Sequence, residues 1–137
     1  MIEFVFGGKG SGKTKKMIDM ANAEVETAKG EILFINDRDK YRVSVDKNIR
    51  FVNTEDFDII GVERLYGFLS GIIAGNYDVD LIYIDNLLRI LNAEGVADVL
   101  PLLEKINPLQ KEYETRFVLS LSCEEDEIPE GLKNYMN

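Results

Sequence analysis

The sequence predicts an α/β fold of three layers, α/β/α, around a mainly parallel sheet of about five strands. Two observations predict it. Short apolar runs alternate with amphipathic stretches of helical length, the pattern of βαβ units whose sheet is covered on both faces. A glycine-rich stretch, Gly7-Gly8-Lys9-Gly10-Ser11-Gly12-Lys13-Thr14, joins the first apolar run to the first helical one, where unpaired backbone N–H groups favour an anion. At 137 residues the chain is expected to form a single domain over residues 1–137, with few insertions.

Ile2, Phe4 and Phe6 alternate with Glu3 and Val5 and predict a first buried strand. Beyond the glycines, Met17, Ile18, Met20, Ala21 and Val25 recur at helical spacing. A helix is therefore expected from about Gly12 to Lys29, with Gly30 as the residue that ends it. Glu31-Ile32-Leu33-Phe34-Ile35 is a second strand, stopping in the polar turn Asn36-Asp37-Arg38-Asp39-Lys40-Tyr41-Arg42, and Ile49-Arg50-Phe51-Val52 is a short strand near a sheet edge. Val62, Leu65, Leu69, Ile72 and Ile73 mark one face of a helix ending near Gly75. Val79-Asp80-Leu81-Ile82-Tyr83-Ile84 is strand again, closed by Asp85. From Asn86 to Tyr113 the pattern is helical but interrupted at Gly95, Pro101 and Pro108, which predicts two or three short helices. The last strand is Arg116-Phe117-Val118-Leu119-Ser120-Leu121-Ser122, with an acidic loop, Glu124-Glu125-Asp126-Glu127, beyond it. No internal repeat or low-complexity tract interrupts the series.

Composition narrows the partners. With 16 basic and 25 acidic residues the net charge is -9, which opposes nonspecific binding to nucleic acid or to an anionic membrane. One cysteine, Cys123, makes no internal disulfide, and the absence of His argues against a zinc site. No apolar run reaches the length of a membrane span, and the N-terminal run is too short and lacks the basic flank of a signal peptide. A cytoplasmic location without membrane insertion is the expectation.

The glycine-rich stretch fills the pattern G-x-x-x-x-G-K-[ST], a phosphate-binding loop. Gly8, Lys9, Gly10, Ser11, Gly12, Lys13 and Thr14 are the expected nucleotide-binding residues: backbone N–H groups of 10 to 14 cradle the phosphates, Lys13 reaches the β and γ positions, and Thr14 offers its hydroxyl to Mg²⁺. Lys13, Lys15 and Lys16 crowd a helix start, where cations oppose the helix dipole, and a bound polyphosphate removes that conflict. Lys9 either adds charge near the γ-phosphate or points to solvent. Leu81-Ile82-Tyr83-Ile84-Asp85 has the form of a strand whose closing carboxylate holds magnesium through water, although strands also end in Asp for turn chemistry alone. Asp85 joins Thr14 as the expected metal-site pair.

On residues 7 to 14 and 81 to 85 the chain resembles the P-loop NTPase superfamily, specifically its RecA-like branch, in which a strand with polar residues follows the magnesium-site strand. Ser120 and Ser122 fit that strand. A looser similarity is to small bacterial chains, chiefly clostridial, labelled as twitching-motility (PilT-like) ATPases; true pilus retraction ATPases carry histidine-containing boxes, and this chain has no His. The resemblance implies ATP and Mg²⁺ as cofactors and a homo-oligomer or protein partner that supplies an arginine. Many such ATPases place Glu directly after the metal-site Asp, but here Asn86 follows, and it takes no proton. In the RecA-like branch the acid instead follows the second strand, where Asp37 and Asp39 fall, so these two are the candidate catalytic acids beside Lys13; as polar turn residues they are equally a solvated turn. Glu124 is a further candidate. The implied function is slow, partner-dependent ATP hydrolysis, with a non-hydrolysing nucleotide switch as the alternative. Type II thymidine kinases share the strand order, which keeps a nucleoside or nucleotide phosphotransferase as a third reading. Their zinc-bound lasso, however, is not built from one Cys and no His.

Overall fold

The computed structural model describes residues 2–136. Among them five strands, β1 (Ile2–Phe6), β2 (Glu31–Asn36), β3 (Arg50–Asn53), β4 (Val79–Ile84) and β5 (Arg116–Leu121), form one sheet in the order β1-β5-β4-β2-β3. Every pairing is parallel. The helices are α1 (Lys13–Glu24), α2 (Val62–Gly75), α3 (Leu87–Ile90), α4 (Leu100–Tyr113) and α5 (Glu130–Lys133), with 3-10 turns over Asp39–Ser44, Thr54–Phe57, Val96–Val99 and Glu125–Glu127.

Side chains alternate across a strand, and the core divides accordingly. Leu33 and Ile35 of β2 join Ile82, Ile84, Phe117 and Leu119 in a cluster with Leu65, Leu69, Leu102 and Ile106 from α2 and α4. Ile32 and Phe34 face the other way, joining Leu81, Tyr83 and Val118 against Met17, Ile18 and Ala21 of α1. Helices thus cover both faces, which is why the strands read as nearly unbroken apolar runs rather than strict alternations. Phe34 stacks between Phe51 and Tyr83, with ring centroids 6.0 and 5.9 Å apart, tying three adjacent strands together on the α1 side.

Two expectations are corrected. Helix α1 stops at Glu24, not Lys29, and the chain continues in turns through residues 25 to 28. Val25 and Thr27 are β-branched and favour the helix weakly, while Val25 and Ala28 still pack on the core. Gly30 is not a left-handed helix cap. It is there because the chain passes close to the end of β4: a Cβ on Gly30 would lie 2.1 Å from the Asp78 carbonyl oxygen, which also accepts the Glu31 amide at 2.6 Å. Gly30→Ala is therefore expected to destabilise the fold by about 1–3 kcal/mol through overpacking against backbone. An unchanged midpoint in chemical denaturation would show that the two segments separate more easily than this contact implies.

The broken pattern after Asn86 resolves into the single turn α3, the 3-10 turn at Val96, and one long helix, α4. Pro101 stands in the first turn of α4, but Pro108 lies inside it without ending it. Its missing N–H leaves the Glu104 carbonyl without a helical partner, and both residues are exposed, so water replaces the lost bond.

Because the sheet is parallel, the carboxyl ends of all five strands lie along one edge. That edge gathers the loop after β1, Asn36 at the end of β2 and Asp37 after it, Asp85 after β4 and Ser122 after β5. Ligands in open α/β sheets collect at such an edge.

Candidate functional site

The loop between β1 and α1 is shaped by its glycines. Gly10 and Gly12 have φ of 78° and 85°, the left-handed region that side chains disfavour. A Cβ on Gly7 would lie 2.2 Å from Ser11 Oγ, so a side chain there would force Ser11 to turn away. The Ser11 amide donates to the Gly8 carbonyl at 3.1 Å and the Gly7 amide donates to the Cys123 carbonyl at 3.1 Å, which ties the loop to the end of β5. Left-handed turns such as those at Gly10 and Gly12 are the conformations in which successive backbone N–H groups form a concavity that suits an anion. Lys13 Nζ donates to the Gly8 carbonyl at 3.0 Å, a neutral acceptor that a phosphate oxygen outcompetes.

Across the strand ends, Asp85 is fully buried and accepts three hydrogen bonds. Thr14 Oγ1 donates to its Oδ2 at 2.5 Å, Asn36 Nδ2 to the same oxygen at 2.9 Å, and Ser120 Oγ to its Oδ1 at 2.8 Å. Strand order explains the convergence: β4 lies between β5, which carries Ser120, and β2, which carries Asn36. Asn86 follows with φ of 59°, its amide donating to Ser120 Oγ at 3.0 Å and its side chain to Asp37 Oδ1 at 3.2 Å. Thr14 and Asp85, expected as a pair, are thus in contact, and Ser120 completes the shell of the carboxylate. Asn36 was not foreseen as a partner of Asp85. The available signal was a polar residue ending a strand whose four preceding residues, Ile32 to Ile35, are all apolar.

The candidate acids lie elsewhere. Asp37 is gripped through both oxygens by Arg89, whose Nη2 donates at 2.7 Å and whose Nε also donates. Burial works against the charge of Asp37, but the Arg89 guanidinium and the Asn86 amide outweigh it and hold the carboxyl below its ordinary value of 3.8. A carboxylate so held is a weak proton acceptor. Asp39 is turned into the exposed pair with Arg42, at 2.7 Å, and lines no part of the cleft described below. Glu124 lies beside Gly8 and is engaged in a reciprocal cap with Glu127. Sequence spacing gave no sign of the Asp37–Arg89 pair, whose members are 52 residues apart.

Around the loop is an open cleft of about 650 Å³, lined by residues 9 to 15 and also by Arg38, Tyr41, Asn86, Leu88 and Arg89. Its lining holds Lys9, Lys13, Lys15, Arg38 and Arg89 and no carboxylate. In a chain of net charge -9 that is a concentrated positive field. The residues fit a polyphosphate and a hard cation: a nest of amides, a lysine bonded only to a carbonyl, and a hydroxyl beside a carboxylate. Among the described residues no group of three or more His, Cys, Asp or Glu side chains stands ready to cage a metal. Magnesium at Thr14 and Asp85 would take its remaining ligands from phosphate and water, as Mg²⁺ commonly does.

The fold and cleft define a parallel α/β protein with an open, cationic cleft at the carboxyl edge of its sheet. No protein-family model matches this chain, and no curated protein matches it either. Among the described residues no helix is long and apolar enough to cross a membrane.

Proposed function

We propose that this chain is a P-loop nucleotide-binding protein that holds Mg-ATP and, by itself, hydrolyses it slowly. The observation that carries the reading is the contact between Thr14 and Asp85, 71 residues apart and meeting at 2.5 Å beside the glycine loop. A turn-forming Asp has no need of a hydroxyl from the helix that follows a glycine loop, whereas a magnesium-nucleotide site needs both groups together. Thr14 and Asp85 would hold magnesium, which would supply charge neutralisation to the bound phosphates. Lys13 and the loop amides orient the phosphates, and Asn36 and Ser120 hold Asp85 in place.

Slow turnover follows from the committed state of the acids. Asp37 is bound to Arg89, Asp39 to Arg42 and Glu124 to its cap, and Asn86 cannot take a proton. Phosphate release from dilute protein is therefore expected well below about 1 s⁻¹, and Asp39→Asn should leave it unchanged. Brisk release by the dilute chain, or its loss in Asp39→Asn, would contradict this. A partner or second copy would then be required for faster hydrolysis, as part of the same proposal, and the cytoplasm is the compartment where the single free cysteine and the nucleotide pool fit together.

The same committed acids favour a nucleotide-dependent switch as the second reading, since binding does not need a proton acceptor. A phosphotransferase also has one observation in its favour. A second cavity of about 600 Å³, lined in part by Thr54, Glu55, Asp58 and Ile59, adjoins the cleft and shares Arg38 and Arg89 with it.

A further inference from the structure

Of the five cations that line the cleft, three are already engaged. Lys15 pairs with Asp19 at 2.8 Å, Arg89 is held by Asp37, and Lys13 belongs to the loop itself, donating to the Gly8 carbonyl. Lys9 is exposed at the tip of the loop. Arg38 lines the same cleft from just beyond β2, and its guanidinium makes no hydrogen bond or ion pair among the described residues. An anion that extends from the glycine loop into the cleft therefore meets Arg38 as the one uncommitted cation of the lining outside the loop.

Its backbone is not free in the same way. The Arg38 amide donates to Asn36 Oδ1 at 2.9 Å, and the amide group of that same side chain donates to Asp85 Oδ2 at 2.9 Å. One asparagine thus links the Arg38 backbone to the carboxylate that Thr14 touches. Strand β2 neighbours β4, about 4.8 Å away in a sheet, so Arg38, two residues past the end of β2, and Asp85, which follows β4, leave the sheet along the same edge. A fixed backbone with an unpaired, planar, always-charged head is the arrangement suited to bidentate contact with a phosphate.

We propose that Arg38 contacts the terminal phosphate from within the same chain and so makes the cleft prefer a nucleoside triphosphate to a diphosphate. The inference rests on the nucleotide-binding reading of the loop. It gives Arg38 a binding role, which is compatible with slow hydrolysis because no proton acceptor is added. It also assigns the cation to this chain rather than to a partner, and it supplies a way for nucleotide state to be sensed: loss of the γ-phosphate leaves Arg38 without its anion, while Lys13 keeps its own.

The test is calorimetry with Mg-ADP and with the magnesium complex of a nonhydrolysable ATP analogue, at concentrations where sedimentation shows a monomer. Arg38→Ala is expected to weaken the triphosphate analogue by about tenfold or more while leaving Mg-ADP affinity and melting temperature unchanged. Arg38→Lys should recover part of the loss, because it returns the charge but not the fork. Equal loss for both nucleotides, no loss for either, or a selective loss seen only where the protein self-associates would overturn the assignment. A separate failure is distinguishable: if Mg-ADP binding by the natural chain is absent or indifferent to Lys13→Ala, the glycine-loop reading itself falls.

Discussion

Lys13→Ala is expected to weaken Mg-ATP binding by about tenfold or more, which is about 1.4 kcal/mol or above. The side chain is half-buried at the first position of α1, and its Nζ is bonded only to the Gly8 carbonyl of its own loop. Removing it costs the fold one short-range bond to a neutral acceptor, so melting should hardly move. It costs the complex a charge-assisted contact to phosphate in a cleft that contains no carboxylate. The diagnostic result is a large change in affinity with a small change in stability. Unchanged affinity for Mg-ATP would remove the loop from the binding site.

Asp85→Ala is expected to do both kinds of damage. The carboxylate is fully buried and serves as acceptor for Thr14, Asn36 and Ser120, of which Asn36 and Ser120 are themselves buried. The substitution leaves those donors without an acceptor, at a cost of about 2–4 kcal/mol after the relief of burying one less charge is allowed for. Melting temperature should fall by on the order of 10 °C for a chain of this size. Asp85→Asn keeps the shape and one acceptor oxygen, so it should lose less stability. Both variants should lose the magnesium dependence of ATP affinity, since the donor set beside Thr14 no longer carries charge. Full magnesium dependence in a well-folded Asp85→Asn protein would place the metal elsewhere.

The parts legible in the sequence were those set by local chemistry. Five strands could be read because a parallel sheet buries both faces and leaves continuous apolar runs, as in Ile32-Leu33-Phe34-Ile35. The glycine loop was legible because left-handed turns at Gly10 and Gly12 demand glycine. What the sequence did not carry was which strands lie side by side in the sheet. That β5 lies between β1 and β4 decides that Ser120 reaches Asp85, and that β2 neighbours β4 decides that Asn36 does too. The fate of Asp37 was hidden for the same reason, because its partner Arg89 comes from α3, 52 residues along the chain, and meets it only in the assembled fold. Gly30 was misread because a glycine required for close approach to a neighbouring backbone looks, in one dimension, like a glycine that ends a helix. Pro108 was misread because its tolerance depends on which face of α4 meets water.

The most direct test of the central claim is a crystal structure of the chain with magnesium and a nonhydrolysable ATP analogue. The phosphates should lie within hydrogen-bond distance of the backbone amides of residues 10 to 14, with Lys13 Nζ moved from the Gly8 carbonyl onto a phosphate oxygen and magnesium beside Thr14 and Asp85. A nucleotide bound away from the glycine loop, with Lys13 still donating to Gly8, would contradict it.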